Sequence, residues 1–258
     1  MVSAVRRRGA VPAITAVVRG VPSVGVEDAD LERFLARDGV RKVSARDIPS
    51  AVVQKRDGAT TVAASLVLAA SAGIQVFATG GIGGVHRDAP YDESADLAEL
   101  ARTPMIVVCA GAKSILDLPA TWERLESLGI PVIGYRTAQL PGFFTADTGI
   151  LLDVSVDHPD EIAEVYAAHR KLGRPQSILV VQSPPAAHAL PRERVEAAVE
   201  QAQRDARAAG IRGAAVTPFL LATVTRLTEG GSLAANIALL EQNAALAADI
   251  ASVGAART

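Results

Sequence analysis

Short apolar runs rich in β-branched residues alternate along this chain with longer stretches of helical period. That alternation constrains the fold more than any other feature. Candidate strands cover residues 13–18, 74–78, 105–109, 131–134, 150–156 and 177–182. Helical patterns cover 28–37, 45–55, 60–71, 95–101, 114–128, 159–171 and 192–209. Runs such as MIVVCA and ILVVQ carry no polar alternation, so they predict strands covered on both faces, as in a mostly parallel sheet between helices. Ser94 before Ala95, Asp157 before Pro159 and Pro191 supply helix starts, while Gly129, Gly173 and Gly210 supply stops. After Gly210 two Ala/Leu-rich helical patterns, 217–228 and 233–252, are separated by Gly230–Gly231 and followed by no strand. With no composition break or repeat, the 258 residues read as one α/β domain. The expected architecture is a three-layer α/β/α sandwich around a mostly parallel (mixed) sheet, closed by a C-terminal helical hairpin.

Charge and composition exclude several classes. Twenty-six basic against 28 acidic side chains leave a net charge of −2 and no electrostatic case for nucleic acid or an anionic membrane as partner. A single cysteine forms no internal disulfide, and no Cys/His cluster has zinc spacing, so the expectation is a reducing, cytoplasmic location. Residues 58–85 carry no charge and are long enough to span a bilayer, but Thr60, Thr61, Ser65, Ser71, Gln75 and four clustered glycines interrupt them. They read as a buried helix, a turn and a strand. The opening MVSAVRRRGAVPA has no apolar run of a signal peptide. Residues 2–8 resemble the last turns of a helix, so the chain reads as beginning inside an element.

Only four of the 26 basic residues are lysines: Lys42, Lys55, Lys113 and Lys171. Arg cannot replace Lys in imine chemistry, so each position is informative. Lys55 and Lys171 read as solvated helix-end residues. Lys113 follows MIVVCAGA, at the carboxyl end of a strand, where open α/β sheets place ligands. Desolvation there would supply a neutral amine, but a helix-start lysine reaching water fits the same position. Lys42, in VRKVSARDIP, precedes a predicted helix start at Ala45, where phosphate could sit, although position alone favours a surface strand-end lysine.

The segment FATGGIGGVHRDAPYDESADL combines glycines for close backbone approach with His86, Arg87, Asp88, Asp92, Glu93, Ser94 and Asp96. One carboxylate plus waters could hold a hard divalent ion, though acidic residues before a helix are ordinary dipole partners. GxGxxG fails because His86 stands where the third glycine belongs, and GxxxxGK[ST] fails because Ala112 precedes Lys113. Asn236 and Asn243, seven apart, share one helix face and are either buried with partners or turned to a ligand.

Taken together, ATGGIGGVHR, SADLAEL, VVCAGAKSILDLPATWERLE, VTPFLLATVTRLTEGGSL and ANIALLEQNAALAADIA resemble the pseudouridine-5′-phosphate glycosidases, a family that includes indigoidine-synthase-A-like proteins. The resemblance implies reversible cleavage of the C–C glycosidic bond of pseudouridine 5′-phosphate to uracil and ribose 5-phosphate, with an Mn²⁺-type ion and a homotrimer. It assigns Lys113 to the imine-forming lysine, Lys42 to substrate binding and Val62 to a backbone contact with substrate. It assigns Asp92 to the metal, although YDESADL stands where FDISADL is usual, and Ser94, Ala95 and Asp96 to a substrate-contacting tripeptide. His86 and Asn236 fall in family motifs as site-lining residues. Family members also carry a strand and loop of the type ALEST-IISHGMP, whose Glu donates the proton, and no such stretch occurs in this chain. The expectation is therefore an N-terminally truncated domain. The alternatives are an inactive homologue that keeps sugar-phosphate binding, or an unrelated α/β sugar-phosphate enzyme that uses Lys113 as an imine-forming residue.

Overall fold

The structure is a computed structural model, and it describes residues 1–36, 39–87 and 91–255. The N-terminal part runs α1 (Val2–Arg7), β1 (Thr15–Val18), β2 (Val21–Val24), α2 (Asp28–Leu35), β3 (Arg41–Val43), α3 (Ile48–Val53), β4 (Gly58–Thr60) and α4 (Val62–Ser71). The central part follows as β5 (Val76–Ala78), α5 (Ala95–Leu100), β6 (Ile106–Cys109), α6 (Leu118–Ser127), β7 (Val132–Tyr135), β8 (Ser155–Val156), α7 (Pro159–Lys171), β9 (Ile178–Val181) and α8 (Arg192–Ala208). Two helices, α9 (Val216–Leu227) and α10 (Gly231–Ala255), form the expected C-terminal pair.

The α/β class holds, and the strands divide into two sheets. One has five parallel strands in the order β5-β6-β9-β7-β8; the other has four in the order β2-β1-β4-β3, with β3 and β4 parallel and the rest antiparallel. Along β6 the side chains alternate between two cores. Val107 and Cys109 join Leu66, Leu97, Leu179 and Leu239, while Ile106 and Val108 join Ile133, Ile162, Tyr166 and Ile250. That is why MIVVCA has no polar alternation: both faces are covered. A third core of Val17, Val43, Ile48, Ala51, Ala64 and Leu68 lies under the four-stranded sheet.

Three short strands, β2, β3 and β4, carry too little apolar pattern to stand out, although Lys42 reads as a strand end from sequence. The β1–β2 hairpin turns on Arg19 and Gly20 at φ +49° and +80°, the mirror-image turn that suits strand twist. A Cβ on Gly20 would lie 2.7 Å from the Lys55 Cα, so this turn also needs the missing side chain. Helix α6 begins at Leu118, capped by Asp117, whose carboxylate accepts from the Ala120 N–H at 2.9 Å. Residues 114–117, read as helix from sequence, are therefore a turn. The predicted strand 150–156 keeps only Ser155–Val156, with Leu151 bridging to Gln139. The predicted end of α2 at Arg37 lies outside the described residues. Among the described residues no helix is long and apolar enough to cross a membrane, in line with a buried reading of 58–85.

Candidate active site

Two loops at the carboxyl ends of β5 and β6 run side by side. Gly80 to Val85 extends β5, and Ala110 to Asp117 extends β6. Main-chain bonds join them: Ala110 N–H to Gly80 O at 2.9 Å, Ile82 N–H to Gly111 O at 3.1 Å, Lys113 N–H to Ile82 O at 3.1 Å and Asp117 N–H to Val85 O at 2.9 Å. The glycines permit this approach. A Cβ on Gly83 would fall 2.1 Å from the Ser94 Oγ, and one on Gly111, at φ +83°, would fall 2.4 Å from the Pro141 carbonyl oxygen.

Lys113 is thereby held in a partly buried position with its Nζ donating to the Gly81 carbonyl at 3.3 Å. Burial pushes its pKa below the ordinary lysine value of 10.5. The like charge of Lys42 pushes the same way, and Asp96 and Cys109 push back. Lys113 is thus no helix-start lysine in open water: the helix begins five residues later. Lys42, itself exposed on β3, is near enough to act on it across space.

Asp96 is buried, with its carboxylate accepting from the Ala63 N–H at 2.9 Å and the Gly83 N–H at 2.8 Å. It ties the start of α4 to the glycine loop. Val62, the first residue of α4, is placed next to this clamp. Lys42 pairs in register with Ala59, on the strand that leads into α4, so the helix start beside the lysine's strand is that of α4. The start at Ala45 is closed by a capping box in which Asp47 accepts from the Ser44 N–H, which places an acid there. The α4 start carries an acid as well, because the Ala63 N–H donates to Asp96.

Ser94 caps α5, its Oγ accepting from the Asp96 N–H at 3.2 Å, and Ala95 is exposed beside it. The His86 N–H donates to the Asp92 carbonyl at 2.9 Å, closing a loop whose residues 88–90, Asp88 included, lie outside the described residues. The Asp92 side chain is exposed. Among the described residues no three His, Cys, Asp or Glu side chains gather to hold a metal. The Asp92 carboxylate is a hard oxygen donor, of the kind that holds a largely hydrated divalent ion. Asn236 packs its Oδ1 3.3 Å from where a Gly80 Cβ would stand. Asn243 is the buried alternative, donating to the Thr79 carbonyl at 2.8 Å and accepting from Gln182 at 2.9 Å.

Phe143 escapes sequence reading, and Arg87 is seen there only as one of a crowded loop, without its contacts. Phe143, at φ +68°, lays its ring over Gly81 and donates its N–H to the Ala110 carbonyl at 3.0 Å, roofing both loops. Arg87 reaches across to the turn after Lys113. A separate cleft of about 480 Å³ borders that turn, with Arg87, Ser114, Asp117, Thr145 and Glu196 in its walls.

A family model described as indigoidine synthase A like protein matches residues 1–253. The chain belongs to this family. A relative from Gemmatimonas aurantiaca named pseudouridine-5′-phosphate glycosidase is 62% identical over 251 residues, which cover 97% of this chain and 82% of the relative. A relative of the same name from Herpetosiphon aurantiacus is 54% identical, with 96% and 82% covered. Among solved structures, the prealnumycin C-glycosynthase AlnA in complex with ribulose 5-phosphate superposes with a TM-score of 0.93 at 39% identity, covering 99% of this chain and 85% of that one. An indigoidine synthase A-like protein from Thermotoga maritima gives 0.91 at 34% identity, covering 96% and 82%. Family membership thus agrees with the resemblance read from the motifs.

Proposed function

We propose that this chain is a pseudouridine-5′-phosphate glycosidase that acts through Lys113, cleaving pseudouridine 5′-phosphate with water to uracil and ribose 5-phosphate, and running in reverse. The observation that carries the reading is the desolvated Lys113 amine beside Lys42 and Asp96, in a chain 62% identical to a protein of that name.

A C-glycoside has no leaving-group oxygen to protonate, so the two-carboxylate route of glycoside hydrolysis does not serve it. In the proposed route the ring C1′–O4′ bond breaks as the Lys113 amine adds to C1′, and the proton lost from the nitrogen ends on O4′ as a hydroxyl. As the nitrogen lone pair forms the C1′=N bond, the C1′–C5 bond breaks and its electrons pass to uracil C5, which takes up a proton. Water then adds to the imine, and ribose 5-phosphate leaves with its aldehyde restored and the amine freed. A neutral amine is required for the first addition, and burial together with Lys42 favours that form.

Lys42 and the Val62 backbone hold the phosphate, since the next two N–H groups of α4, of Ala63 and Ala64, are taken by Asp96 and the Thr61 Oγ1. Asp96 spends one lone pair on each main-chain donor, and its remaining acceptor sites serve sugar hydroxyls together with Ser94 and the Ala95 backbone. His86 and Asn236 line the loop. A divalent ion of the Mn²⁺ type, held by Asp92 and waters, would organise water and substrate oxygens. The resemblance implies a homotrimer, and Leu233 and Ile237, exposed four residues apart on α10, would give such an interface apolar contacts.

The test is borohydride reduction of the chain with ribose 5-phosphate, with the adduct mapped by mass spectrometry, alongside ultraviolet detection of uracil released from pseudouridine 5′-phosphate with Mn²⁺. The expected result is one pentose-phosphate adduct on Lys113, absent in Lys113→Met, together with uracil release. An adduct elsewhere, or none, overturns the reading.

A further inference from the structure

Arg87 lies one residue beyond His86 yet makes its contacts on the other loop. Its Nε donates to the Leu116 carbonyl at 3.0 Å and its Nη2 to the Ser114 carbonyl at 3.1 Å. The same guanidinium forms a two-pronged pair with Glu196 of α8, at 2.9 and 3.2 Å. We propose that Arg87 is a positioning residue for Lys113, fixing the turn that follows the nucleophile and anchoring it to α8. This role rests on the imine chemistry proposed for Lys113.

The argument is one of unmet hydrogen bonds. Residues 114–117 are not helical, so the carbonyls of Ser114 and Leu116 have no helical ladder to enter. The turn's own side chain does not secure it either, because the Ser114 Oγ is buried without a hydrogen-bond partner. Main-chain bonds from Lys113 N–H and Asp117 N–H hold the two ends of the turn on Ile82 and Val85. Between them the Leu116 N–H closes on the Lys113 carbonyl at 3.0 Å and Ile115 and Leu116 pack into the core, while Arg87 supplies the side-chain donors to the Ser114 and Leu116 carbonyls. A planar guanidinium meets two carbonyls and a carboxylate at once, and an ammonium cannot. Loosening the middle would let the Lys113 stem swing away from the Gly81 carbonyl and out of its desolvated position.

The ion pair itself is partly exposed, with side-chain accessibilities of 20% for Arg87 and 40% for Glu196. Such pairs contribute little to stability. Losing Arg87 also leaves the Ser114 and Leu116 carbonyls without its donors, so Arg87→Met lowers Tm as well as the rate of imine formation, and trapping is compared at a temperature where each variant is folded.

The experiment measures borohydride trapping at saturating ribose 5-phosphate for wild type, Arg87→Met, Arg87→Lys and Glu196→Gln, with thermal unfolding of each. Arg87→Met is expected to trap about 100-fold more slowly, the size of a small misplacement of a reacting group, with little change in half-saturation. Arg87→Lys restores part of the rate, because a cation still reaches one carbonyl. Glu196→Gln leaves the contacts to the carbonyls and weakens the anchor, giving a smaller loss of the same kind. The pH at which trapping half-develops moves up toward the ordinary lysine range in Arg87→Met, since the amine regains water. The charged and titratable groups that face Lys113 are Asp96 on α5, Lys42 on β3 and Cys109 on β6; Glu196 on α8 faces Arg87. These are kept in Arg87→Met but the Arg87 charge is not, so Arg87→Lys, which keeps a cation, separates the two. A midpoint partly raised in Arg87→Lys supports positioning, and one raised only in Arg87→Met reports lost charge and overturns it.

Trapping by Arg87→Met at the wild-type rate with an unmoved pH midpoint overturns the role of Arg87 and leaves the imine reading intact. Should Arg87→Met fail to fold, Glu196→Gln decides: slower trapping supports the role, and wild-type trapping overturns it. A wild-type chain that forms no adduct on Lys113 overturns the imine reading and the role of Arg87 together.

Discussion

Asp96→Asn separates the two jobs that one buried carboxylate performs. Its oxygens accept from Ala63 N–H at 2.9 Å and Gly83 N–H at 2.8 Å, both in buried surroundings. Hydrogen bonds to a charged acceptor contribute about 1.5–3 kcal/mol each. An asparagine keeps one acceptor oxygen and turns its NH₂ group toward the second N–H, leaving that donor without a partner. The expected loss is about 2–4 kcal/mol, which for a domain of this size lowers Tm by roughly 5–15 °C. The effect on the nucleophile has the opposite sense. The Asp96 charge raises the pKa of Lys113, so removing it lets burial and Lys42 lower that pKa further. More of the amine is then neutral at a given pH, and the pH midpoint of borohydride trapping moves down. The assay pairs differential scanning calorimetry with trapping between mildly acidic and alkaline pH. A Tm equal to that of the wild type would show that the clamp is not holding α4 to the glycine loop. An upward movement of the midpoint would refute the electrostatic argument.

Three further outcomes are expected. Lys42→Met removes the like charge from beside Lys113, so the amine's pKa rises, the trapping midpoint moves to higher pH and half-saturation by ribose 5-phosphate increases; steady-state trapping across pH checks both. Cys109 is buried in β6, and its thiol is pushed up to about 12, so a thiol reagent leaves the native chain unmodified and labels it once unfolded in guanidinium. Gly111→Ala places a Cβ 2.4 Å from the Pro141 carbonyl at a φ of +83°; the expected cost is about 1–3 kcal/mol, read from urea unfolding, with slower trapping because Lys113 lies two residues on.

Much of the architecture was legible because it obeys period and polarity. The patterns at 159–171 and 192–209 match α7 and α8 almost residue for residue, since each carries a proline start, an amphipathic face and a glycine stop. The pattern at 114–128 reads as helix from its first residue, yet α6 waits for the Asp117 cap, because Asp117 and Lys113 donate to the neighbouring loop instead. The strands β3 and β4 are three residues each and pair only because β1 lies between β4 and β2, an arrangement that no local pattern announces.

The site divides the same way. The scarcity of lysine, the strand before Lys113 and the glycine-rich segment are properties of residue order, so the chemistry-bearing positions and the family could be read without coordinates. Whether the Lys113 amine is desolvated or stands in water at a helix start was open at that level, since both follow a strand. Tertiary packing decides it, by folding the glycine loop, Asp96 and Lys42 around one amine drawn from three separate stretches of chain. The contacts of Arg87 and Phe143 belong wholly to that second level. Hydrogen bonding and desolvation act through distance in space, and residues 27 or more positions apart meet only once the core has closed.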